Sequence, residues 1–363
     1  MNDLAINLMR QRKLNGLTQQ AVAEAAGISR VAYRNLEKGD AEPRENTLRA
    51  LAEALNASAM DLLAPVPQLK SLRFRANEKM SEQERAQSRQ VVVRTGNWLQ
   101  DFNELESILD NRKPVRLKTF RKGTQPETAA TKLRAELLPH ECDCVPDLCE
   151  LLEKAGVKIS LLDFHMSEMS GLSLGKTDGG PAIAINTGNK MSVERQFFSI
   201  AHELGHLILH QDSYGKSSDE LTDEQEHEAD EFAGAFLMPD ELFTKEWEEN
   251  RGLHWVDAVL KTKRHFKVSY QSVIHHLIDL GKAEPKAAYK KFRADYKDRY
   301  GKELHWKDEP CPLNRFDLVE DRFATLVRDA LDKELITTSR AAEILDISIE
   351  EMRNRMKSWE VVR

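Results

Sequence analysis

Phe198-Ser199-Ile200-Ala201-His202-Glu203-Leu204-Gly205-His206-Leu207-Ile208-Leu209-His210 carries apolar residues at helical spacing and no proline. The stretch from Val193 to His210 is therefore expected as one helix. On a helix, residues four apart share a face, so His202 and His206 turn two imidazoles toward one point. Glu203 stands beside them. That order suits hydrolysis: the imidazoles hold a metal ion and the carboxylate takes a proton from the attacking water. Gly205 leaves room for another segment to come close.

A catalytic zinc site wants a third protein ligand and an open position. Twenty residues beyond His206 stands Glu226, in Glu226-His227-Glu228-Ala229-Asp230, on a second expected helix from Asp223 to Phe236. Glu226 can complete a His2Glu set, while Asp230, four residues on, orients a ligand histidine. Glu228 is a rival third ligand, but it falls on another side of the helix and lacks an acid at i+4. His210 and His227 read as surface or supporting histidines.

The pair of motifs, HExxH and then ExxxD, resembles the gluzincin peptidases. The longer pattern is narrower: RQFFSIAHELGHLILH followed by EHEADEFAGAFLMP resembles the ImmA/IrrE family of metallopeptidases, as do VPDLCELLEKAGVKISLLDF and PAIAINT upstream. The resemblance covers roughly residues 130–280. It implies an α+β, zincin-like core whose short sheet flanks the active helix, with an edge strand able to hold a substrate peptide by β-augmentation. It also implies a zinc metalloendopeptidase with one Zn2+ per chain and Glu203 as general base. Mn2+ and Fe2+ suit the same donors. Tyr270, His254, His275 and His276 stand as candidates for the group that steadies the oxyanion.

Around this core the chain reads as several domains. Asp147 to Ala155 is expected as helix, and Val157 to Phe164, Ser170 to Leu174 and Ala182 to Asn186 as short strands. The boundaries drawn from composition and punctuation are 1–64 for an all-α N-terminal domain, 65–125 for a linker with one amphipathic helix at 97–109, 126–285 for the peptidase domain and 286–363 for an α-helical C-terminal region. The loop reading runs from Arg121 to Thr128. Within the last region, TSRAAEILDISIEEMRNRM looks like a second helix-turn-helix-type unit, read as a packing or dimerisation module.

In the N-terminal domain, Leu17-Thr18-Gln19-Gln20-Ala21-Val22-Ala23 starts a helix that Thr18 can cap. Ala26-Gly27-Ile28-Ser29 makes a tight turn, and Ser29 caps a second helix that ends at Gly39. Two short helices about a glycine turn make a helix-turn-helix. LTQQAVAEAAGISRVAYRNLEKG, with TLRALAEALNAS and DLL beyond it, resembles the lambda-repressor/Cro-like (XRE) family over residues 4–63. In that fold the second helix enters the major groove. The resemblance implies Ser29, Arg30, Val31 and Arg34 as readers of base edges and Gln19 as a phosphate contact. Residues 1–64 carry about as many acids as bases, so electrostatic attraction to DNA is modest.

The bulk properties exclude several classes. A net charge of -7 argues against a surface coated in nucleic acid or anionic lipid. No apolar run is long enough to span a bilayer, and the start shows no signal peptide. Cys142, Cys144, Cys149 and Cys311 form no evident disulfide framework, and the first three, with His140, match no strong zinc template. These features fit a reducing cytoplasm, and the resemblance to the ImmA/IrrE family implies a prokaryotic one. The expected partners are a double-stranded DNA operator, a protein substrate or partner, and a second copy of the chain as a homodimer, with no membrane.

Three functional readings follow. One is a transcriptional regulator whose peptidase cleaves a repressor or antitoxin in a stress or mobile-element response. Another is a non-enzymatic transcription factor that uses the zincin fold as a ligand or partner sensor. A third is a component of a toxin–antitoxin or phage-defence pair. Retention of Glu203 favours the first, since a sensor has no need of a base.

Overall fold

Side-chain caps, more than length, set the N-terminal helices of this chain. The computed structural model describes residues 2–66, 69–73, 81–138, 142–166, 169–188, 191–216 and 222–360. It divides into two compact units: the described residues of Met1–Leu69, Ala76–Trp98 and Phe164–Met169, and those of Lys70–Arg75, Leu99–Asp163 and Ser170–Arg363.

The first unit begins with α1 (Asp3–Leu14), α2 (Gln19–Ala25), α3 (Arg30–Lys38), α4 (Glu45–Ala54) and α5 (Ala59–Leu63). Asn2, Thr18, Ser29 and Ser58 each accept a backbone N–H near the start of a helix, satisfying a donor that the helix itself cannot. Gly27 takes φ +68° in the turn between α2 and α3, a conformation that suits glycine. Leu8, Val22, Tyr33, Leu51, Leu55 and Leu62 are buried together as its core. Asn7 of α1 donates to the carbonyls of Leu62 and Ala64, closing the bundle.

The chain continues with β1 (Leu72–Arg73), α6 (Glu82–Ile108), α7 (Pro126–Leu137), α8 (Leu148–Lys154), β2 (Lys158–Leu162), β3 (Gly171–Leu174), β4 (Ala182–Asn186), α9 (Val193–Leu209) and α10 (Asp223–Leu237). The sheet runs β1-β3-β4-β2. β2 and β4 are parallel, with Ile159 opposite Ile183, while β3 lies antiparallel to β4 and β1 antiparallel to β3. All five residues of β4 are buried, as expected of a strand covered on both faces. α9 packs on β3 and β4 with one face and on α10 with another.

Helices α11 (Asp240–Glu249), α12 (Trp255–Phe266), α13 (Tyr270–Asp279), α14 (Ala288–Tyr300), α15 (Arg322–Asp332), α16 (Thr338–Ile344) and α17 (Ile349–Glu360) complete the chain. Lys263 of α12 is buried and donates to Glu194 on α9 at 2.8 Å and to the carbonyls of Pro310 and Cys311. Glu309 lies 2.9 Å from the same ammonium, and Leu313 N also donates to Glu194. The stretch 309–313 is thus strapped to the first turn of the motif helix.

The three strands and the two motif helices fall where the sequence places them. Elsewhere the structure adds elements. The amphipathic helix expected at 97–109 is the end of α6, which begins at Glu82. The inward positions before residue 97 include Ser88 and Thr95, so burial there is not matched by hydrophobicity. The loop expected at 121–128 ends earlier, because Pro126 opens α7 at a position where its missing N–H costs nothing. α16 and α17 repeat the α2–α3 turn bond for bond. Leu345, Asp346 and Ile347 donate to Ala341, Glu343 and Ala342, as Ala26, Gly27 and Ile28 donate to Val22, Glu24 and Ala23. Among the described residues no helix is long and apolar enough to cross a membrane.

One buried group makes stability depend on pH. Glu153 of α8 is buried, and its Oε1 has no hydrogen-bond partner among the described residues. Burial, with Glu320 nearby, pushes its carboxyl up to about 9. The folded chain then holds a proton that the unfolded chain releases above its ordinary carboxyl range, so stability falls as pH rises between those two limits. Glu153→Gln is expected to unfold like the parent below pH 5 and to gain on the order of a few kcal/mol over it by pH 8. Thermal melts across that range check this; parallel pH profiles for the two proteins would refute it.

Candidate metal centre and DNA-reading helix

The motif helix presents its acid and imidazoles as the i, i+4 spacing requires. His202 Nε2 lies 3.0 Å from His206 Nε2. Glu226, on the facing helix α10, sets one carboxylate oxygen 3.5 Å from His202 Nε2 and the other 3.6 Å from His206 Nε2. Among the described residues these three form the one grouping whose ligand atoms, all within 4.8 Å of one another, could hold a metal ion. α9 and α10 come this close because Gly205 has no side chain: a Cβ there would stand 3.0 Å from Phe232 Cδ1 and 3.3 Å from Ala229 Cα.

Hydrogen bonds behind the triad orient it. His202 Nδ1 is 2.8 Å from Asp230 Oδ1. His206 Nδ1 is 2.8 Å from His210 Nδ1, and His210 Nε2 is 2.7 Å from Glu228 Oε2. One assignment satisfies every link: Nδ1–H of His206 donates to His210, whose Nε2–H donates to the Glu228 carboxylate. Both outer bonds leave Nε2 of His202 and of His206 as the atoms that face Glu226.

The electrostatics follow from these contacts. Burial opposes charge on His202, but hydrogen bonds to Asp230 and Glu226 outweigh it and raise the imidazole to about 10. Burial likewise opposes charge on Glu226, yet His202 and Arg73 hold its carboxyl down at about 2. Burial keeps His206 well below the usual histidine range and lowers His210 as well. Glu203 is buried, which pushes its carboxyl up despite His202 and a 2.6 Å hydrogen bond from the Ser173 hydroxyl on β3. Tyr214 donates in turn to Ser173 Oγ.

Glu228 faces His210 rather than the triad, which separates it from Glu226. His210 is a buried support, whereas His227 is exposed beside Glu231. The four residues weighed for the oxyanion are engaged elsewhere: Tyr270 stacks on Phe292, His254 caps α12, His275 pairs with Asp279 and His276 with Asp240. Cys142 and Cys144 are half-buried and Cys149 is buried, all as free thiols, while His140 lies outside the described residues. Arg73, Ser173 and Tyr214 were not singled out by sequence. An isolated serine, tyrosine or arginine carries no spacing signal, and only the sheet brings these three to the motif. His210→Ala is expected to weaken metal binding about 10–100-fold by leaving His206 Nδ1 unsupported. Chelator competition reads this directly, and an unchanged affinity would show that His206 needs no support.

In the first unit, Ser29, Arg30, Val31 and Arg34 are exposed along one side of α3. Val31 is 59% exposed. Gln19 is half-buried at the first turn of α2, where its side-chain amide donates to Glu37 at 2.6 Å. Glu37 is also held by Arg12, so Gln19 is part of a packed polar cluster.

Residues 152–277 match the family model described as the IrrE N-terminal-like domain, and residues 8–62 match the helix-turn-helix model. An uncharacterized HTH-type transcriptional regulator, y4dJ, of Sinorhizobium fredii is 39% identical over 59 residues, which are 16% of this chain and 77% of that protein. The metal-capable triad falls inside the first match and the exposed face of α3 inside the second. The chain belongs to the XRE-type helix-turn-helix regulators and carries, on the same polypeptide, an ImmA/IrrE-like peptidase domain.

Proposed function

We propose that this protein represses transcription through its N-terminal domain and cleaves a partner protein, a repressor or antitoxin, through a zinc-dependent peptidase site. The observation that carries the reading is the convergence of His202, His206 and Glu226 with the buried Glu203 beside them. Two imidazoles and one carboxylate are a donor set for catalytic zinc, one ion per chain. His202 Nε2, His206 Nε2 and Glu226 would hold it, and when bound it polarises a scissile carbonyl. Asp230 and His210 keep the two imidazoles turned toward it.

Glu203 takes the proton of the attacking water and passes it to the leaving amine. Burial favours this role, since a raised carboxyl is a stronger base near neutral pH. The Ser173 hydroxyl, steadied by Tyr214, fixes the rotamer of Glu203. On the DNA side, Arg30, Val31, Arg34 and Ser29 read base edges, Gln19 meets phosphate by turning its amide away from Glu37, and two copies of the chain read two half-sites.

The test pairs the wild type with Glu203→Gln, each assayed for zinc and incubated with proteins encoded beside the gene, products being read by intact mass. Zinc in both and cleavage by wild type alone supports the reading. Zinc in both, cleavage by neither and intact promoter binding would favour a sensor instead, and wild type without zinc would overturn the site.

A further inference from the structure

Ser71–Arg73 lies outside the residues matched by either family model, yet it occupies the sheet edge beside the metal-capable triad. Leu72 and Arg73 pair antiparallel with Leu174 and Ser173 of β3. β3 is the strand that touches the motif acid, through the Ser173 hydroxyl, and it lies so close that a Cβ on Gly171 would stand 3.3 Å from Glu203 Cγ. An extended segment laid antiparallel on that strand is in the attitude of a peptide bound by β-augmentation.

The segment is held on every side. Asp178 accepts from Lys70 N, Ser71 N and the Ser71 hydroxyl at 2.7–2.9 Å. Gly175 N donates to the Ser71 carbonyl, and Gly215 N to that of Leu72. The side chain of Arg73 is 3% exposed, and its Nη2 donates to Glu226 Oε1 at 2.9 Å. Its Nε has no hydrogen-bond partner among the described residues. A buried guanidinium with an unused donor, aimed at the carboxylate that completes the triad, is costly in a permanent core contact. It is natural in a slot whose occupant changes.

We propose that Ser71–Arg73 is the resident occupant of the peptide-binding edge, and that an extended segment of a protein substrate engages the site by taking its place on β3. Arg73 also opposes the metal, because a cation hydrogen-bonded to Glu226 draws on the same lone pairs and repels a second positive charge. The substrate class is an extended polypeptide strand, and the competing strand directly follows the helix-turn-helix domain in the chain. This inference rests on the peptidase reading of the site.

Two variants of the full chain test it. Arg73→Ala removes the guanidinium, and Asp178→Ala loosens the segment without touching the triad. The readouts are zinc affinity by chelator competition, hydrogen exchange of the β3 amides, and cleavage of unfolded casein. Both variants are expected to bind zinc at least about tenfold more tightly than wild type, to exchange faster along 171–175, and to cut casein faster. Equal zinc affinity and equal β3 protection in all three proteins would overturn the inference and leave the metal site standing. Lower zinc affinity in both variants would overturn it too, making Arg73 a support of Glu226. Absence of zinc from all three would overturn the peptidase reading itself.

Discussion

Glu203→Gln is expected to leave zinc bound and to slow peptide cleavage by about 10^2–10^4-fold. Glutamine has nearly the volume of the acid, and its carbonyl oxygen can still accept from the Ser173 hydroxyl, so α9 and its packing on β3 persist. His202 and His206 keep their own partners, Asp230 and His210, and Glu226 stands on α10, away from the change. What disappears is the lone pair that receives the proton. Single-turnover rates and zinc content, measured on the same preparations, separate the two effects. A rate within tenfold of wild type would place the base elsewhere, and loss of zinc would make Glu203 a structural neighbour of the metal.

The second large effect belongs to a residue with no side chain. Gly205→Val is expected to cost at least about 1–3 kcal/mol of stability, the range for overpacking a filled core. Even the Cβ alone meets Phe232 at 3.0 Å and the α10 backbone at 3.3 Å. Phe232 is fully buried and stacked on Phe236, with no room to retreat. Relief comes only by parting α9 from α10. Glu226 lies one helical turn before Ala229, so the same movement draws it away from the two histidines. Metal affinity is therefore expected to fall at least tenfold. Thermal melts and chelator titrations on one preparation check both parts; a melt that drops while affinity holds would mean that Glu226 follows the metal rather than the helix spacing.

Glu203 and the space left by Gly205 were both legible in the motif, but not that α10 is the segment that fills that space. His202, Glu203, His206 and Glu226 were legible because a helix converts spacing into direction, and the metal-ligand chemistry names the residue types. The strands 158–162, 171–174 and 182–186 were legible because short stretches rich in Ile, Leu and Ala are set off by Gly156, Gly175 and the Gly179-Gly180 turn. β1 was not. Two residues have no period, and their place is fixed by Asp178, more than a hundred positions away. The first half of α6 hid for another reason: its buried face includes the small polar residues Ser88 and Thr95, of which Ser88 bonds back to the Glu84 carbonyl. His210 and Glu228 lay in view, but their roles depend on which way α10 faces α9, and that is decided by Gly205, Ala229 and Phe232.

The strap at Glu309–Leu313 bears on how the protein could be shortened. A minimal catalytic fragment drawn from the motifs would stop soon after α13. Such a fragment would leave the Lys263 ammonium and the Glu194 carboxylate in the same apolar wall, stripped of the Glu309 carboxylate, two carbonyls and the Leu313 amide. Water would have to enter at the first turn of the motif helix to solvate them. The chain beyond α13 therefore acts, through 309–313, as a plug for the helix that bears the histidines, and trimming it would loosen the very element the fragment was meant to isolate.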